Sequence, residues 1–67
     1  MKIKKGESYG DFLRRIQMEA NYTQEDLALR LGFSKRAICY WLKGESEPSF
    51  SSKRTIDIMA RKIRKAR

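Results

Sequence analysis

The chain has no histidine, one cysteine and one proline among its 67 residues. Without histidine it lacks the usual general base near neutral pH and the commonest metal ligand. Nothing else replaces it: there is no cluster with metal-ligand spacing, no glycine loop to cradle phosphate and no nucleophile beside a base. An enzyme is not expected, and neither a cofactor nor a metal. A lone Cys39 cannot form an internal disulfide, and a single thiol suits a reducing cytoplasm. No apolar run approaches the roughly 18 residues that span a bilayer. The opening "MKIKKGES" has the cations of a signal peptide but not its apolar core. A soluble, cytoplasmic protein without membrane association is the expectation.

Acid is scarce as well. Sixteen Lys and Arg stand against eight Asp and Glu, a net charge of +8 with a pI near 10.1. In so short a chain this excess implies an anionic partner. It is concentrated at the ends, in Lys2, Lys4 and Lys5 and in "RKIRKAR", where five of seven residues are cationic.

The apolar residues recur with helical spacing, and no segment alternates like a strand. Four helices are predicted, over residues 8–21, 23–31, 34–43 and 52–65. In the first, "SYGD" gives Ser8 as N-cap with Asp11 three residues on. Tyr9, Phe12, Leu13, Ile16 and Ala20 then make one stripe, and Asn21 is a suitable stop. In the second, "TQED" is a capping box of Thr23 and Asp26, Leu27, Ala28 and Leu31 share a face, and Gly32 ends the helix. The third lies between Ser34 as N-cap and Gly44 as stop. After the polar loop "ESEPS", Ile56, Met59, Ala60 and Ile63 fall at i, i+3, i+4 and i+7. The plain reading of these stripes is the core of a four-helix, all-α domain, with Leu13, Ile16, Leu27, Leu31, Ile38, Trp41, Ile56 and Ile63 at its centre. No repeat or long linker divides the chain, so a single domain is expected over residues 1–67. It would have a basic arm at 1–7, a helix-turn-helix at 23–43 and a basic tail at 61–67.

The third helix has two unlike halves. At about 100° per residue, Ala37, Ile38, Trp41 and Leu42 fall on one side, and Lys35, Arg36, Cys39, Tyr40 and Lys43 on the other. The first side belongs in a core. The second carries three cations and no acid. Cys39 there reads as a small tolerated residue, with a thiol sensor favoured by the nearby cations as the alternative. The second and third helices are joined by only a few residues around Gly32, the connection of a helix-turn-helix. Ala28 is the small residue needed where the helices cross.

This run, "YTQEDLALRLGFSKRAICYWLKGESEPS" over residues 22–49, resembles the phage repressor and Cro family of helix-turn-helix regulators, also called lambda repressor-like. The resemblance implies a transcriptional regulator that binds double-stranded DNA, a Cro-like repressor or autorepressor at a palindromic operator. It implies that the third helix lies in the major groove. The positions matching the family's base readers are Ser34, Lys35, Arg36 and Tyr40. Thr23, Gln24 and Lys43 match phosphate contacts, and Gln24 also matches a brace for the reading helix. Lys2, Lys4 and Lys5 are expected to add phosphate contacts from the arm. A homodimer on DNA is expected, with Leu29 and Ile58 as interface candidates because each is apolar on the polar side of its helix. Two features depart from the family. Gln17 and Leu42 stand where many members pair an arginine with a glutamate, so the link between the first and third helices should be apolar or weakly polar. The stretch after Pro48 leaves room for one helix rather than two. The alternative reading is a DNA-binding antitoxin, or a protein-interaction module of a toxin–antitoxin or anti-defence operon.

Overall fold

Four side-chain oxygens fix where the helices begin. Ser8, Thr23, Ser34 and Ser49 each hold extended backbone and accept the N–H three residues on, satisfying one of the donors that a helix start leaves unpaired. The elements are α1 (Tyr9–Ala20), α2 (Gln24–Leu31), α3 (Lys35–Lys43) and α4 (Phe50–Lys62) in a computed structural model that describes residues 1–63. Thr23 and Asp26 complete a reciprocal capping box, whereas Ser8 makes only the single bond from Asp11 N–H. Asn21, Gly32 and Gly44 end the first three helices in the left-handed conformation. No strand occurs among the described residues.

The first three helices match expectation to within a residue at each end; the fourth is displaced. It begins at Phe50 rather than Ser52, because Ser49, directly after the buried Pro48, caps it by accepting the Ser52 N–H. It ends at Lys62 rather than Lys65, since Ile63 is extended at φ −90°, ψ 126°. Residues 64–65 of the expected helix and 64–67 of the basic tail lie outside the described residues.

α3 packs against both α1 and α2, and α4 packs against α2. The core joins Phe12, Leu13 and Ile16 of α1 with Leu27, Ala28 and Leu31 of α2. Ile38, Trp41 and Leu42 of α3 and Ile56 and Ala60 of α4 complete it. Ile63 packs on this core only partly buried, because it lies past the end of α4. Phe33, in the turn, meets the Trp41 ring edge-on at 5.1 Å and 81°, a geometry favoured by the ring quadrupoles.

Two contacts fix α3 against α1. Gly10 lies so close to α3 that a Cβ there would collide with the Trp41 carbonyl. The Arg14 guanidinium donates to the Leu42 carbonyl at 3.0 Å. The link, expected to be apolar or weakly polar, therefore carries one charged donor that the expectation did not include. Arg14, one turn before Gln17, reaches the backbone at the end of α3, where helix carbonyls lack partners and a cation is favoured. Gln17 instead donates to the Tyr22 carbonyl and closes the turn between α1 and α2.

Candidate nucleic-acid interface

Burial of Ile38, Trp41 and Leu42 turns the opposite side of α3 to solvent. Arg36, Tyr40 and Lys43 follow one another at i, i+4 and i+7, within about 60° of one another on the helix wheel. All three are exposed, Tyr40 to 42%. Lys35 is exposed beside them, and Cys39 is half-buried at their edge. None of Lys35, Arg36 and Lys43 has an ion pair or side-chain hydrogen bond among the described residues. The charge on this face is therefore not neutralised from within the chain.

The helix starts differ electrostatically. The first turn of α2 carries Glu25 and Asp26, while that of α3 carries no acid. The positive end of the α3 dipole is thus left to attract an external anion. The Thr23 backbone N–H, bonded to Asp26 at 3.0 Å, holds that carboxyl below its ordinary range. Thr23 and Ser34 already accept backbone N–H groups at 3.0 and 3.1 Å. Each hydroxyl hydrogen remains available to a phosphate or base acceptor, since a hydroxyl both accepts and donates. Gln24, the first residue of α2, is half-buried, and its amide makes no hydrogen bond among the described residues.

The arm is placed elsewhere. The Met1 ammonium donates to the Ala60 carbonyl at 2.8 Å and the Ile63 carbonyl at 3.3 Å, at the end of α4. Arg15 of α1 donates to the Lys2 carbonyl at 2.8 Å, and grips Glu7 through Nε and Nη2 at 2.8 and 2.9 Å. That two-point grip pulls the Glu7 carboxyl from 4.5 down to about 2. Met1 and Ile3 pack on the core, while Lys2, Lys4 and Lys5 are exposed. The arm is thus bonded to α1 and α4, not to α3.

The helix-turn-helix family model of the Cro/C1 type matches residues 13–52, more than half of the chain. The protein belongs to this helix-turn-helix family. The match runs from the second turn of α1 through α2 and α3 into α4, and so contains every residue placed on the α3 face. As a family member it is a DNA-binding transcription regulator of the lambda repressor-like class, and the family is not an enzymatic one. No curated protein and no solved structure matches the chain. Among the described residues no helix is long and apolar enough to cross a membrane, and no group of His, Cys, Asp and Glu is placed to hold a metal ion.

Sequence reasoning missed Arg14 and Gly10, which orient the helix-turn-helix without belonging to its exposed face. The signal for Gly10 was a glycine inside a helix, which costs about 1 kcal/mol relative to alanine and so needs a packing reason. The interface candidates Leu29 and Ile58 are 78% and 50% exposed, but Met18 and Phe50, which the sequence did not single out, are as exposed as Leu29, at 82% and 77%. Ile58 lines a groove between α2 and α4 from which Leu29 is absent.

Proposed function

We propose that this protein is a Cro-like repressor or autorepressor that binds a palindromic operator as a homodimer formed on DNA, with α3 in the major groove. The observation that carries this reading is the unpaired face of α3, whose other side is fixed by the core. Arg36, Lys35 and Ser34, at the first turn, would meet base edges. Arginine can bond O6 and N7 of guanine together, while lysine reaches the same atoms with less geometric demand. Tyr40, one turn on, would press its ring on a thymine methyl or give its hydroxyl to phosphate. Thr23, Gln24 and Lys43 would hold phosphates on either side, with Lys2, Lys4 and Lys5 adding to the general attraction.

Two copies would place their α3 helices about one helical turn of DNA apart, in successive major grooves. Leu29 supports a contact between copies better than Ile58 does. Ile58 lies between Arg54 and Lys62 in an i, i+4, i+8 row on α4, all exposed, and a second copy would bring the same cations against them.

The test is binding to an operator selected from random duplexes, measured across salt concentrations, with footprinting. The expected result is protection of two half-sites and a steep loss of affinity with salt. Lys43→Ala should weaken operator and random DNA alike and lower the salt slope by about one unit. Affinity indifferent to salt, or protection of one half-site at saturation, would overturn the reading.

A further inference from the structure

The groove between Tyr22 in the turn before α2, Arg30 near the end of α2 and the outer side of α4 from Thr55 onward has a volume of about 620 Å³ and draws no residue from α3. Its apolar surface comes from Tyr22, Ile58, Met59 and Ile63, and its cations are Arg30 and Lys62. Met59, Ile63 and Tyr22 already pack on the core from below and are only half-buried, so their upper surfaces remain wet. The Arg30 guanidinium lies over the Tyr22 ring, 4.4 Å from its centroid. This contact holds the charge at the groove without consuming its hydrogen-bond donors. Neither Arg30 nor Lys62 has an ion-pair partner among the described residues. The neighbouring acids hydrogen-bond elsewhere: Asp26, one turn before Arg30 and near enough to feel its charge without pairing with it, bonds Thr23, and Asp57 of α4 accepts the Tyr9 hydroxyl at 3.1 Å.

We propose that this groove docks an acidic amphipathic helix from a partner protein. An apolar side chain of that helix would cover Ile58, Met59 and Ile63, and flanking carboxylates would meet Arg30 and Lys62. Burial of an apolar stripe between two helices, with charges paired at the rim, is the ordinary chemistry of helix-in-groove recognition. Charge complementarity selects this occupant. A second copy of a chain carrying +8 would bring cation against cation. A DNA backbone would satisfy Arg30 and Lys62 but leave the apolar floor in water. The inference does not rest on the operator reading, because it uses none of the residues assigned to DNA.

The probe is a synthetic amphipathic peptide with leucines along one helical face and glutamates on the rest, titrated into the isotope-labelled full chain. Amide shifts should concentrate at Tyr22, Arg30, Ile58, Met59 and Ile63. Ile58→Ser and Arg30→Gln, both at exposed positions, should each weaken the peptide about tenfold, equivalent to about 1.4 kcal/mol. Both variants should keep the parent circular-dichroism melt. A control peptide with serine for leucine should bind at least tenfold more weakly. The proposal is overturned if the peptide leaves these amides unmoved, or if the serine control binds as well. It is equally overturned if duplex DNA displaces the peptide from the groove, which would make it a nucleic-acid surface. Concentration-dependent shifts at the same amides without peptide would identify a second copy as the occupant and overturn it too.

Discussion

The N-terminal arm and the outer face of α3 carry the same number of cationic side chains, Lys2, Lys4 and Lys5 against Lys35, Arg36 and Lys43. Their surroundings differ. The arm is held by its backbone and by Glu7, with its lysines projecting from irregular chain. The α3 cations project from a helix locked on its other side by Ile38, Trp41 and Leu42, by the close approach of Gly10 and by the Arg14 bond to Leu42. A cation on a fixed helix has a fixed direction and can select among acceptors; one on irregular chain mainly adds attraction. Composition ranks the two regions equally, and only the packing beneath them separates the face proposed to read bases from the arm proposed to add general attraction.

The most direct way to break the comparison is to remove what locks α3. Trp41→Ala empties the space between α1, α2 and Phe33 and should cost about 3–5 kcal/mol, comparable to the whole stability of a domain this small. Thermal unfolding followed by circular dichroism should show the loss, with operator binding lost in parallel. An unchanged melt would refute the role of Trp41. A smaller change sharpens the comparison without touching the core. Arg36→Ala should cost about 1–3 kcal/mol on the operator, relax preference at one base pair of each half-site, and do much less on random DNA. Equal losses on both duplexes would make Arg36 a phosphate clamp and erase its distinction from the arm.

Lys4→Ala is the matching change in the arm. It should weaken operator and random DNA by the same modest factor and lower the salt slope by about one unit. A loss confined to the operator would give the arm a reading role, and no loss on either duplex would remove it from the interface.

The helices themselves were legible because local chemistry sets them. Ser8, Thr23 and Ser34 as caps and Asn21, Gly32 and Gly44 as stops are written in residue types that act over three or four positions. The start of α4 was misread because Ser49, Ser51 and Ser52 are all capping residues, and which one serves depends on where Pro48 is buried. The α3 face was legible as the complement of an apolar stripe. Arg14, Gly10 and the placement of the arm were not, because each depends on which helices meet, and sequence spacing within one helix carries no such information. Arg14 also shows the limit of matching pair positions to a family pattern. With Gln17 and Leu42 in the paired positions, another arginine one turn away still bonds the end of α3, through a backbone carbonyl that every residue at that position would offer.

The smallest expected effect concerns what holds the arm rather than what it touches. Glu7 is ionised in both states above its ordinary value of 4.5, and in the folded chain Arg15 keeps it ionised down to about 2. Below 4.5 the unfolded chain takes up the proton first, so the stabilisation from Glu7 is present above that value and drains away as pH falls toward about 2. Glu7→Gln keeps the shape but cannot hold a charge. It should lower the melting temperature slightly at neutral pH and remove part of the acid sensitivity between these limits. Because Arg15 also holds the Lys2 carbonyl, amide exchange at residues 2–7 should rise in the variant while α3 amides stay protected. Equal acid sensitivity in parent and variant would show that the bond to Arg15 does not stabilise the fold. Loosening of α3 along with the arm would show that the two basic regions are coupled.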